Sequence, residues 1–360
     1  MKEFKFNSAE IPILKEITTN KNYYSVGTDN KFFDHLIYLY ENSSSHSTFV
    51  NNLSSKIVGS GLVGTTDKNQ LIIDSTNFND IFLKTSLDYS LYGGWCVEII
   101  WNALHTKINQ INYIDFSKIR SGFIDDETDD VLLYYYSPDW SKYRKEVTII
   151  QSYNEDEITD NVQILYVKDH SPGLSVYPKP IYYGSLGAIY TDVELNKYYA
   201  NLVKNNFIGN KIITVSVPMD AERQVSFEEG FKKQFTTSEN AGSIMVIYAD
   251  GSTGERSPLE IVDFNQGPDD QKYQWLSQNV LDQIIIGHRI PNPIIAGVRI
   301  SGSLGGSQEM IDSEIIYNKN VIHPKRDTMV SEYNKLIKLY KTPFDYKIND
   351  NNLFIEKNTE

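Results

Sequence analysis

Residues 268–340, PDDQKYQWLSQNVLDQIIIGHRIPNPIIAGVRISGSLGGSQEMIDSEIIYNKNVIHPKRDTMVSEYNKLIKLY, decide the fold. The first part carries apolar residues at Trp275, Leu276, Val280, Leu281, Ile284 and Ile285. That three-and-four spacing predicts one apolar helical face. The centre, IPNPIIAGVRISGSLGG from Ile290 to Gly306, is rich in Pro, Gly and Ser and reads as a loop. A second, longer helix follows, with Ser307 as expected N-cap and Glu309 in the first turn, where the helix dipole favours an anion. At ~1.5 Å per residue it would reach about 50 Å, more than most globular domains need. Pro324 lies inside it. Its missing N–H and crowding ring predict a kink there rather than a stop.

The rest of the chain must be compatible with that helix–loop–helix. Its 360 residues allow two or three structural units with a sizeable core. The net charge of −13 disfavours non-specific polyanion binding by the whole molecule. One cysteine, Cys96, excludes an intramolecular disulfide and a Cys-rich zinc site, and fits a reducing compartment. No signal-peptide core follows Met1, and no apolar run reaches the ~18 residues of a membrane span, so no membrane association is expected.

From the N-terminus, residues 1–28 read as irregular. A helix is predicted from Phe32, broken at Ser43–Ser45. Gly59–Gly64, GSGLVG, matches a dinucleotide fingerprint letter for letter. That fingerprint needs a strand before it and a helix after it, whereas here a helical segment precedes and a turn-like one follows, so it reads as a glycine-rich helix exit. A capped helix then ends at Gly93 and Gly94, and strands are expected over 95–101, 108–114, 131–136, 147–153 and 162–169. The resulting class is α+β with a mostly antiparallel sheet. The Asp125–Asp130 cluster lacks the glycine and the glutamate of a calcium loop and reads as a solvated hairpin tip. Cys96 sits among Trp95, Val97 and Ile99 as a packing thiol.

After a connecting loop at His170–Pro180, a helix is expected with Leu186, Ile189 and Val193 on its apolar stripe. A strand (211–217), helix (221–235), strand (242–249) and strand (258–264) then form a small α/β unit, from which the 268–289 helix returns. A unit on a two-helix stalk is unusual for an enzyme and natural for a ring-forming protein.

No catalytic constellation emerges. GSLGG lacks the Lys-Ser/Thr of a phosphate-cradling loop, and the six histidines show no metal-ligand spacing. No nucleophile elbow accompanies His170, and His288-Arg289 reads as a cation pair at a helix C-terminus. The expectation is therefore no enzyme, no cofactor and no metal.

The order of elements resembles the portal proteins of tailed bacteriophages, in the lambdoid and SPP1-like branch. The resemblance is carried by GWCVEIIW, DHSPGLSVYPKPIYYGSLGAI, YYANLVKNNFIGNKIITV, KYQWLSQNVLDQIIIGHRIPNPIIAG and SGSLGGSQEMIDSEIIYNKNVIHP, and covers 95–340. It implies a portal fold: a wing at 1–183, stem helices at 184–207 and 268–289, a clip at 208–267, a tunnel loop at 290–305, a long kinked helix at 306–340, and a short C-terminal segment at 341–360 in place of a crown.

The function implied is a dodecameric ring at one capsid vertex of the virion, assembled in the host cytoplasm. It would be the channel for packaging and ejecting double-stranded DNA. Its partners would be other copies of itself, the major capsid protein, the terminase large subunit, the head–tail adaptor, and DNA held weakly and without sequence preference. Arg223, Glu228, Lys232, Lys233, Glu255 and Arg256 of the clip would meet terminase or adaptor. Arg299 is the one formal charge between Arg289 and Glu309, and with Ser301, Gly302, Ser303 and Leu304 it is expected to face the channel. The other reading of Arg299 is a pair with Glu309 or Asp312 of a neighbouring subunit. The rival to the portal as a whole is a non-enzymatic interaction module of low oligomeric order, and subunit count separates the two.

Overall fold

The run GWCVEIIW is apolar at nearly every position, the pattern of a strand covered on both faces. In the computed structural model, which describes residues 13–18, 22–64, 72–73, 76–140, 147–204, 211–215, 226, 244–248, 259–263, 269–298 and 307–348, it is an interior strand, second from one edge of a six-stranded sheet. Trp95, Cys96, Val97 and Ile99 have no exposed surface.

The elements come in this order. Strands β1 (Glu16–Thr18) and β2 (Tyr24–Val26) pair antiparallel. Helices α1 (Phe32–Asn42), α2 (Ser44–Val58) and α3 (Phe78–Tyr92) follow. The large sheet comprises β3 (Gly94–Trp101), β4 (Ile108–Tyr113), β5 (Ile119–Ser121), β6 (Leu133–Tyr136), β7 (Thr148–Ser152) and β8 (Val162–Lys168). Its spatial order is β4-β3-β8-β7-β6-β5, antiparallel except for the short parallel β7/β8 contact. The mixed α+β class and the mostly antiparallel sheet are as the sequence predicts.

Local chemistry explains the helix ends. Ser43 caps α2 by accepting from the His46 amide, and Asn77 caps α3 by accepting from the Asp80 amide. Helix α3 stops at Gly93, whose φ of 79° is left-handed. A Cβ there would also come within 2.8 Å of the Lys179 carbonyl oxygen, so glycine is required twice over. Gly59, at the start of GSGLVG, is the C-cap of α2, and Val63–Gly64 pair with Tyr346–Lys347, the context of a helix exit.

Two expectations change. The 1–28 segment is not wholly irregular. Besides the β1/β2 pair, the Glu16 carboxylate accepts from the amides of Ser175, Val176 and Tyr177. Its order comes from partners about 160 residues away, which local patterning does not reveal. Helix 269–287 also does not bury its whole stripe: Val280, Ile284 and Ile285 are buried, but Trp275 is 68 % exposed.

Tyrosines and phenylalanines build much of the core. Phe116 stacks on Tyr92 and Tyr166, Tyr166 on Tyr134, and Phe33 meets Phe116 at 5.4 Å. Such pairs contribute about 0.5–1.5 kcal/mol each beyond area burial. The buried Arg120 guanidinium lies 4.6 Å over the Trp140 ring and donates to the carbonyl oxygens of Ser117, Ile119 and Asn30 and the side chain of Asn30.

The chain divides into two compact units, 1–189 with 283–360, and 190–282. Helices α4 (Leu186–Lys204) and α5 (Asp269–Gly287) run through the two division points. The smaller unit holds β9 (Lys211–Val215), β10 (Ile244–Tyr248) and β11 (Leu259–Asp263), ordered β10-β9-β11. β9 is parallel to β10 and antiparallel to β11. Of the helix predicted at 221–235 only Ser226, which is helical, lies within the described residues. In the larger unit, α6 (Ser307–Tyr317), a π turn (Asn318–Ile322) and α7 (His323–Leu339) form one uninterrupted helical run, with Ser307 inside the first turn.

Candidate functional site: the frame around the Ile290–Gly306 loop

The loop begins where α5 ends. His288 closes the helix, and Arg289 follows in the left-handed region at φ 54°. The Ile290 amide donates to the Ile285 carbonyl and the Arg289 amide to that of Ile286. These are the two bonds of a Schellman closure, with arginine where glycine is usual. A Cβ on Gly287 would collide with the Ser185 side chain, and Ser185 Oγ donates to the Gln283 carbonyl at 2.8 Å. The chain therefore leaves α5 in one direction.

The loop's first half is not free. Asn292 accepts from the Ile294 amide at 3.0 Å and opens a 3-10 turn, Pro293–Ala296, ended by Gly297 at φ 77°. Ile290 and Ile295 are buried, and Asn52 of α2 donates to the Ile295 carbonyl at 3.2 Å. The candidate channel residues Arg299, Ser301, Gly302, Ser303 and Leu304 lie outside the described residues, as do Arg223, Glu228, Lys232, Lys233, Glu255 and Arg256.

His288 corrects the sequence reading. It is not a terminal cation: it is 1 % exposed, and burial pushes its pKa down to about 3. Its Nε2 lies 2.9 Å from Nδ1 of His46 on α2. Desolvation is the greater cause that also holds His46 well below the ordinary imidazole range, with the His288 charge adding to it.

On the far side of the loop, Pro324 is exposed at the start of α7, directly after the π turn. The His323 amide donates to the Asn318 carbonyl, five residues back. A proline cannot donate to the Asn320 carbonyl, and its ring crowds that turn. Widening to the i→i+5 pattern keeps the helix running past it. Buried charges anchor both flanks. Glu314 of α6 accepts from Lys56 Nζ at 2.7 Å, and Arg326 of α7 donates to the carbonyls of Ile57 at 2.8 Å and of Lys56. Lys325 pairs with Asp169 at 2.7 Å, lies 3.8 Å over the Tyr89 ring, and has its pKa lowered first by burial, with Asp169 opposing. Tyr89 donates to the same carboxylate at 2.5 Å. Sequence reasoning missed these anchors. KR after a proline reads as a solvated face, and no local pattern names Glu314 or Asp169 as partners.

The exposed side of α6 carries Glu309, Asp312, Ile315 and Ile316, with Gln308 donating to Asp312. Among the described residues no group of three His, Cys, Asp or Glu side chains could hold a metal ion. Cys96 is buried, with its thiol 3.5 Å from the Ile114 carbonyl and its pKa pushed well up by desolvation, the reverse of an activated nucleophile. Asp125 accepts from the amides of Glu127 and Thr128 and shapes the hairpin tip. The frame positions a loop; it does not assemble an acid–base pair.

No protein-family model matches the chain, and no curated protein matches its sequence. Solved structures do. One is a chain in the "Neck of native GTA particle computed with C12 symmetry", at TM-score 0.56 and 10 % identity, covering 88 % of this chain and 83 % of that one. Another is from the virion of a native gene transfer agent particle, at TM-score 0.57 and 10 % identity, covering 88 % and 83 %. An HK97-family phage portal protein from Corynebacterium diphtheriae covers 78 % of this chain at 10 % identity, with a TM-score of 0.45, below what a fold argument needs. At such identity the likeness is one of fold. At that level, this chain shares its fold with chains of gene transfer agent particles.

Proposed function

We propose that this chain is a phage portal protein. It forms a closed ring, dodecameric in the assembled virion, at one capsid vertex. Double-stranded DNA passes through the ring during packaging and ejection. The single observation that supports this reading best is the shared fold, over 88 % of the sequence, with chains of the neck and the virion of a gene transfer agent particle. On this reading 1–183 is the wing, 184–207 and 268–289 the stem, 208–267 the clip, 290–305 the tunnel loop and 306–340 the helix beneath it. The clip is the docking platform for the terminase large subunit and later the head–tail adaptor, and the wing faces the major capsid protein.

The frame supports this role. A loop that must touch moving DNA needs fixed ends. The Schellman closure, the docked Pro293–Ala296 turn and the anchored α6–α7 run supply them. Ile315 and Ile316, 57 % and 51 % exposed on α6, leave apolar surface that a neighbouring subunit can cover. A net charge of −13 suits a channel wall that must not grip phosphate, since tight neutralisation would brake sliding. No catalytic role is proposed.

The test is genetic. Particles assembled without this chain should be closed shells that hold no DNA, and supplying the chain in trans should restore full heads. DNA-filled particles lacking the chain would overturn the reading.

A further inference from the structure

The buried pair His46–His288 has a consequence that does not depend on the portal reading. The two rings share one hydrogen bond, and among the described residues His46 Nε2 and His288 Nδ1, both buried, have no partner. Two neutral imidazoles place one proton between the bonded nitrogens. Whichever ring donates, one remaining N–H and one remaining lone pair go unused. A further proton would create an imidazolium beside a second histidine inside an apolar box.

The walls of that box, among the described residues, offer the extra charge no counter-charge and no free acceptor. Tyr182 stacks on His288 at 4.9 Å and meets His46 edge-on at 4.3 Å, and its hydroxyl is committed to the Leu91 carbonyl at 2.6 Å. Phe49 of α2 lies 5.5 Å from the His288 ring. Among the described residues, the titratable groups facing each imidazole are the other imidazole and the Tyr182 phenol, which burial keeps neutral. Arg289 follows His288 but is exposed, and among the described residues no carboxylate acts on either ring. His46 also sits in the first turn of α2, the end of a helix that repels a cation.

The pair joins α2 to the last residue before the left-handed Arg289. Past Arg289 come the buried Ile290 and the turn held by Asn52. We infer that the His46–His288 contact is an acid-released latch that holds the end of α5 and the Pro293–Ala296 turn against α2.

The sign follows from linkage. Both imidazoles are held below their ordinary pKa of 6.5 when the latch is closed, His288 at about 3. Closure is therefore fully favoured above pH 6.5 and weakens as the pH falls toward 3. Each histidine freed on opening binds a proton and shifts the equilibrium about tenfold per pH unit in that window, so two shift it up to ~100-fold.

The experiment is amide hydrogen exchange on the full chain at pH 7.5 and 5.5, expressed as protection relative to the intrinsic rate at each pH. Protection at Ile290, Ile295 and Gly297 should fall between about tenfold and ~100-fold on acidification, while Val97 and Ile99 in the sheet keep theirs. The double variant His46→Phe/His288→Phe should hold the turn's protection constant across the same range. If that variant does not fold, the contrast between turn and sheet in the unaltered chain decides. Unchanged protection of the turn, a loss shared equally by the sheet, or a pH response that survives in the folded double variant would each overturn the latch.

Discussion

Glu314 and Arg326, on opposite sides of the π turn, both close on Lys56: one pairs with its ammonium at 2.7 Å and the other donates to its backbone carbonyl. The end of α2 thus sets how α6 and α7 meet. The Lys56–Glu314 pair is 9 % and 5 % exposed, so removing one partner strands a buried charge. Glu314→Leu should cost about 3–5 kcal/mol in urea unfolding, and the double variant Lys56→Met/Glu314→Leu should recover most of it. Equal losses in the single and double variants would show that the pair matters only through packing.

Pro324→Ala tests the turn itself. A mid-helix proline costs ~3 kcal/mol relative to alanine, but the π turn directly before Pro324 already accommodates its ring and missing N–H. With both flanks anchored, the substitution should change stability by less than about 1 kcal/mol and leave the π turn in place. A crystal structure with a regular α-helix across Asn318–Ile322 would contradict this and make the proline itself the cause of the π turn.

Gly287→Ala should be costly for a different reason. The new methyl would run into Ser185, which is fixed by its bond to the Gln283 carbonyl. Overpacking of this kind costs about 1–3 kcal/mol. Adding Ser185→Gly should restore part of it in a double-mutant cycle, while additive losses would mean the two positions do not meet.

On the portal reading, Arg299→Ala should leave ring formation intact and change DNA packaging or retention in a salt-sensitive way. Rings that fall apart instead would make Arg299 a subunit contact, the partner of Glu309 or Asp312.

These sites divide by how far their determinants lie along the chain. The Asn77 cap, the Gly93 stop, the strand runs and the helix through Pro324 are governed by neighbours within a few residues, and the sequence displays them. The β1/β2 hairpin, the neutral His288 and the buried Lys325 and Arg326 depend on Ser175–Tyr177, His46, Asp169 and α2, each more than a hundred residues from its counterpart. Local rules assign an isolated histidine or lysine at a helix end to solvent. Only tertiary packing reverses that, and packing has no periodic signature. Trp275 errs the other way, apolar in pattern yet 68 % exposed.

The portal assignment stands or falls on assembly. Electron micrographs of the purified chain should show closed rings with a central hole; a ring of thirteen would be as acceptable as one of twelve, since isolated rings can differ in size from assembled ones. A uniform population of monomers at high protein concentration, with no rings in any field, would contradict it.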